Sequence, residues 1–166
     1  MASLPEKRHT LAHLLAAAIQ ERYPDAKATI GPAVDNGFYY DFDFGTGGKP
    51  GDADLESLTS AMKDILASWD AMHGTEASAE DARDRFKGNP YKLELIEEIV
   101  RKGEPLTLYT AGGFTDLCRG GHSDNPKHDI ASDSFRLDRI AGAYWRGDEK
   151  NAQLTRIYGL AFDTKD

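Results

Sequence analysis

The amino-acid sequence predicts an α+β fold, with helices segregated from an antiparallel sheet that packs around a long first helix. Three observations carry this reading. Residues 8–22 repeat apolar side chains at helical spacing, and residues 38–44 alternate aromatic with polar side chains. From residue 106 onward the pattern turns to a series of short strands.

The first helix is expected over residues 8–22, where Leu11, Leu14, Leu15, Ala18 and Ile19 form one stripe. Tyr23-Pro24-Asp25 ends it, because proline cannot continue the backbone hydrogen-bond ladder. A hairpin follows: strand 26–30, a reversal through Gly31-Pro32 and Asp35-Asn36-Gly37, then strand 38–44. In that strand Phe38, Tyr40, Phe42 and Phe44 alternate with Tyr39, Asp41 and Asp43, the period of a half-buried strand. Asn36-Gly37 supplies the positive-φ residues of a tight reversal. Residues 46–51, beginning Thr46-Gly47-Gly48, read as a flexible loop.

A second helix is expected over 53–72, with Leu55, Leu58, Met62, Ile65, Leu66 and Trp69 at helical spacing. Ser78 caps a short helix reaching 86, and Asn89-Pro90 opens another through 100. Strands are expected at 106–109, 114–118, 134–140, 142–146 and 154–162. The sequence holds no internal repeat, and its 166 residues suit one domain or two small lobes sharing a core.

Composition narrows the function. No apolar run approaches the roughly 20 residues of a membrane span, and no secretory leader pattern is present. One cysteine provides no intrachain disulfide, which fits a reducing cytoplasm. The net charge of -8 argues against gripping nucleic acid through bulk charge. Residues 119–166 are balanced, however, with 8 Lys+Arg against 8 Asp+Glu. Arg119, Arg136, Arg139, Arg146, Lys150 and Arg156 fall there, either as a local basic face or as solvated surface charge.

Candidate chemistry gathers at two pairs. His9 and His13 are four residues apart on the first helix and project from one face. Cys118 and His122 are also four apart, around Gly120-Gly121, whose tight turn can aim both side chains at one point. Three readings compete: histidines satisfied near a core beside a small buried cysteine, a tetrahedral zinc site of one thiolate and three imidazoles, or a metal-free hydrolytic site. A Cys-His nucleophilic dyad ranks lower, because it leaves two histidines without a role. Lys92 is not singled out by spacing. Asp116 precedes Cys118 by two residues and shares its face in a strand, as a partner of a histidine or substrate amine, or as a rim carboxylate.

Four blocks together resemble the editing domain of bacterial threonyl-tRNA synthetases. They are Arg8-His9 with His13-Leu14; Ile30-Gly31-Pro32 with Asp35-Asn36-Gly37-Phe38-Tyr39-Tyr40-Asp41; Asp116-Leu117-Cys118-Arg119-Gly120 with His122; and Ala141-Gly142-Ala143-Tyr144-Trp145-Arg146-Gly147-Asp148 followed by Arg156-Ile157-Tyr158-Gly159. Alanyl-tRNA synthetases and free-standing alanyl editing proteins share the two histidine motifs, not the second and fourth blocks.

The resemblance covers about residues 6–163 and implies that residues 1–166 are a single domain of the threonyl/alanyl editing-domain fold, without the ubiquitin-like N-terminal module and class II catalytic core of a full synthetase. It implies a cytoplasmic deacylase rather than a ligase, acting on the acceptor end of tRNA(Thr) that carries serine, with the remaining synthetase domains as partners. Threonine and serine differ by one methyl, which a pocket discriminates by only about 1–3 kcal/mol, so a second, hydrolytic site is needed. By resemblance His9 handles the proton, Lys92 positions water, His13 joins the catalytic set, Cys118 and His122 shape the pocket, and Asp116 contacts the seryl side. Imidazole suits proton transfer near neutral pH.

No metal and no cofactor are expected, following the threonyl rather than the zinc-binding alanyl relatives; His9, His13, Cys118 and His122 are the alternative zinc set. Gly121 stands where bacterial relatives often carry proline, which raises the entropy cost of fixing the turn. The competing functions are a non-catalytic zinc-stabilised tRNA-binding module and an alanyl-type deacylase. The charge also implies weak tRNA affinity for this stretch alone.

Overall fold

The computed structural model describes residues 2–45, 48–118 and 120–162. Thr46 and Gly47 of the expected loop, and Arg119 of the expected basic set, lie outside the described residues. Helix α1 spans Leu4–Arg22 and starts four residues before the expected position. The cause is a capping box: Ser3 Oγ accepts the Glu6 N–H, and the Glu6 carboxylate accepts the Ser3 N–H at 2.9 Å. Residues 10–19 are all buried, so the helix is enclosed on every side rather than along one stripe.

Strands β1 (Lys27–Ala28), β2 (Ala33–Val34) and β3 (Gly37–Asp43) replace the simple hairpin. Both short strands pair with β3, at opposite ends. The second helix, α2, runs Leu55–Leu66 and is shorter than expected. Trp69 and Met72 remain buried, but a turn carries them there, with Met72 N–H donating to Asp124 O and Lys127 N–H to Trp69 O. Strand β4 (His73–Ala77) was not anticipated, because it lies almost wholly exposed and shows no alternation.

Helices α3 (Ala79–Arg85) and α4 (Pro90–Arg101) form where their caps predict, with Ser78 and Asn89 side chains accepting the first backbone N–H groups. Strands β5 (Leu106–Ala111) and β6 (Phe114–Leu117) follow, then a short helix α5 (Pro126–Asp129) that the sequence pattern did not suggest. Strand β7 (Phe135–Tyr144) runs unbroken through the join of the two expected strands at Ala141, and its register on β8 shifts between Leu137 and Arg139. A turn through Trp145–Gly147 leads to β8 (Gln153–Ala161).

All pairings are antiparallel, but there are two sheets where one was expected: β1-β3-β8-β7 with β2 on β3, and β4-β5-β6. Helix α1 packs against β3 and α2, burying Leu11, Leu14, Leu15 and Ile19 with Phe38, Phe42, Met62 and Ile157. Among the described residues no helix is long and apolar enough to cross a membrane.

Candidate active site

The site forms where α1, the inner face of β3, α4 and the end of β6 meet. His9 and His13 lie one helical turn apart on α1, with ring centroids 5.1 Å apart. Strand β6 delivers Asp116 and leads into Cys118. Gly120 and Gly121 then take φ values of +115° and +85°, a left-handed path that brings His122 back toward α1. Proline could not follow that path. The turn is pinned to the helix by Thr10, whose Oγ1 accepts the Ser123 N–H at 2.9 Å.

The result is a cluster. The His122 ring stacks on His9 at 4.3 Å and lies 4.6 Å from His13. Cys118 Sγ sits 3.4 Å from His9 Nε2 and 3.3 Å from His122 Nε2, and Gly120 N–H donates to it at 3.4 Å. One ligand atom from each of His9, His13, Cys118 and His122 lies within 4.8 Å of the others.

Beneath the cluster lies a buried polar network. His13 Nδ1–H donates to Asp116 Oδ2 at 2.8 Å, and the Tyr40 hydroxyl donates to the same oxygen at 2.6 Å. Lys92 Nζ pairs with Asp116 Oδ1 at 2.7 Å and donates to the Tyr40 hydroxyl at 2.9 Å. Leu117 N–H also donates to Oδ1. Asp116 therefore has a donor on every side. Gly31 lets Tyr40 lie this close to the neighbouring chain, since a Cβ there would fall 2.3 Å from the Tyr40 ring.

Burial alone would raise the Asp116 carboxyl, yet Lys92 and His13 hold it well below the usual carboxylate range. Burial works against charge on His13, but Asp116 and the nearby Cys118 sulfur outweigh it, and its pKa is pushed up to about 9. The Cys118 thiol, despite burial, is drawn down to about 4 by the three imidazoles around it. His122 moves the other way, lowered mainly by burial. Burial and Asp116 push the Tyr40 phenol well above its ordinary value, so it stays a donor.

A cleft of about 230 Å³ opens beside this network, lined by His9, His13, Thr29, Ile30, Pro32, Tyr40, Lys92 and Leu95 among others. Larger clefts of about 460 Å³ near Ile65 and Trp69, and about 610 Å³ near Lys27 and Arg85, gather no comparable set of groups.

All six residues expected from the sequence, His9, His13, Lys92, Asp116, Cys118 and His122, come together here. Tyr40 and Thr10 were not anticipated. Two of the expected basic set are engaged by carboxylates: Arg146 by Glu94 and Glu98, and Arg156, bidentate, by Asp41.

No protein-family profile matches the chain. It is 48% identical over 157 residues to the threonine--tRNA ligase of Acholeplasma laidlawii, covering 95% of this chain and 24% of that protein. The threonine--tRNA ligase of Acidithiobacillus ferrooxidans is 48% identical over 157 residues, covering 93% of this chain and 23% of the ligase. That of Porphyromonas gingivalis is 47% identical over 159 residues, covering 95% and 24%. The chain thus spans about a quarter of the length of the curated relatives it matches. Through that quarter, the chain is homologous to the threonine--tRNA ligases.

Proposed function

We propose that this domain hydrolyses the ester of tRNA(Thr) mischarged with serine, using its own side chains and a water molecule. One observation supports the reading: His9, His13 and Cys118 line a small cleft beside the buried Asp116–Lys92–Tyr40 network, with His122 packed against His9 and Cys118. Ester hydrolysis needs a proton acceptor for water and donors for the carbonyl oxygen. In this reading water attacks the carbonyl carbon and His9, the half-buried histidine of the α1 pair, takes its proton. The bond to the ribose oxygen breaks, and that oxygen receives the proton.

Lys92 and His13, both held by Asp116, form the floor that positions water and carbonyl. Cys118 completes the wall, held from behind by His122. Asp116 acts mainly through His13 and Lys92, because a seryl contact would have to displace one of its present donors. The cleft is small enough for an added methyl to matter, as selection between serine and threonine requires. The fold would then be the threonyl/alanyl editing-domain fold. In a full synthetase, the ligase chemistry would belong to other domains of a cytoplasmic enzyme.

The test is deacylation of seryl-tRNA(Thr) and threonyl-tRNA(Thr) by the chain, beside His9→Ala. Selective loss of the seryl ester is expected, lowered by at least about tenfold in the variant without loss of folding. Equal hydrolysis of both esters, or an unaffected variant, would reject the reading.

A second reading has its own observation. His13 Nε2 is buried without a hydrogen-bond partner, within the same four-donor cluster. One thiolate and three imidazoles suit tetrahedral zinc, so the residues fit the ion. His9, His13, Cys118 and His122 would hold it, and when bound it would supply Lewis acidity or fold stability. Elemental analysis of untagged protein purified without added zinc separates the readings. Near-stoichiometric zinc, with a lower Tm on chelation, would favour the metal centre; seryl hydrolysis by zinc-free protein would favour side chains alone.

A further inference from the structure

The turn after β7 carries backbone strain that the proposed chemistry does not use. Arg146 has φ 57° and ψ 22°, and Asn36 is the only other non-glycine residue at positive φ among those described. Asparagine adopts this conformation readily, whereas arginine does so only where its surroundings over-determine it. Those surroundings are on α4. Arg146 Nε donates to Glu94 Oε2 at 2.7 Å and its Nη2 to Glu98 Oε2 at 2.6 Å, bridging two carboxylates one helical turn apart. The Trp145 indole N–H donates to the same Glu94 oxygen at 2.7 Å. Trp145 also meets the Tyr91 ring edge-on at 5.1 Å, and the Tyr91 hydroxyl donates to Asp43 Oδ2.

Exposed ion pairs contribute little to stability, so stability alone does not account for a strained arginine here. What the grip does reach is α4. Lys92 adjoins Tyr91 on that helix and faces away from Glu94, reaching Asp116 and Tyr40 inside the site. We infer that Arg146 is a positioning residue for Lys92: the turn at the end of β7 clamps α4 through Glu94 and Glu98, and so sets where Lys92 enters the network. The assignment of an effect on turnover rests on the deacylase reading above.

Arg146→Gly tests it, because glycine keeps the left-handed turn without strain while removing the bonds to Glu94 and Glu98, together with the guanidinium contact 5.1 Å from the Trp145 ring centre. The expected result is an unchanged or higher Tm, with kcat on seryl-tRNA(Thr) about tenfold lower, since small misplacements of reacting groups cost this much or more. KM should change by less than about twofold. Arg146→Lys, which bridges one carboxylate at a time, should fall between. In a Lys92→Ala background Arg146→Gly should have no further effect. Full activity in the variant, or the same tenfold loss with and without Lys92, would overturn the inference.

The Lys92 side-chain ¹⁵N resonance supplies a readout independent of turnover. It should shift in Arg146→Gly, and an unmoved resonance would also overturn the inference. Failure of the wild-type chain to hydrolyse the seryl ester would instead defeat the deacylase reading, leaving the resonance to decide the clamp.

Discussion

Tyr40→Phe removes a single oxygen from the centre of the buried network. Tyr40 is 1% exposed, and its hydroxyl both donates to Asp116 and accepts from Lys92. Phenylalanine keeps the ring and its 5.0 Å stacking on Phe42, so no sizeable cavity opens. Hydrogen bonds to charged groups contribute about 1.5–3 kcal/mol. Asp116 retains His13, Lys92 and the Leu117 N–H, which places the loss toward the lower end, about 2 kcal/mol. At about 2–4 °C per kcal/mol for a chain of this size, Tm should fall by about 4–8 °C.

Tyr39→Phe is the control. It lies on the outward face of the same strand and should change stability by less than about 0.5 kcal/mol. Urea unfolding at constant m, together with thermal melting, measures both variants. A Tyr40→Phe midpoint indistinguishable from that of Tyr39→Phe would refute the argument that this hydroxyl links Asp116 to Lys92.

Asp116→Asn removes the charge that Lys92 and His13 share, at a carboxylate only 2% exposed. Breaking a buried pair costs about 3–5 kcal/mol, so its urea midpoint should fall below that of Tyr40→Phe; a wild-type midpoint would show that the pair is not buried in solution. Gly31→Ala places a methyl 2.3 Å from the Tyr40 ring and 2.8 Å from the Tyr39 carbonyl oxygen. Such overpacking costs about 1–3 kcal/mol, and it should displace Tyr40, lowering both Tm and seryl-tRNA deacylation; unchanged values in both would contradict the close approach.

Much of the fold could be read from the sequence because α1, α3, α4, β3 and β8 each announce themselves through periodicity or a cap. The division into two sheets could not. Strand β4 pairs with β5 from His73↔Thr110 to Ala77↔Leu106, yet its exposed side chains show no alternation. Trp69 and Met72 kept helical spacing beyond the end of α2, so burial without helix looked like helix. Arg146 read as a strand residue, since nothing in its identity signals a positive φ.

The site was readable as two pairs, His9 with His13 and Cys118 with His122, and it was the resemblance, not their spacing, that implied their meeting. Contacts across 103 and 109 residues depend on how α1 seats against β6, which no local pattern states. There was nevertheless an unused signal. Tyr40 is the lone hydroxyl among phenylalanines on the buried face of β3, and a buried phenol requires a partner. Lys92 stands four residues before Ile96 and seven before Ile99, on the stripe of α4 that faces the core. His13 lies in the fully buried run of α1, and Asp116 shares the buried face of β6 with Phe114. Each of these polar groups is costly to bury alone. Together they satisfy one another, so polar residues at positions that periodicity assigns to the core mark this site better than their spacing does.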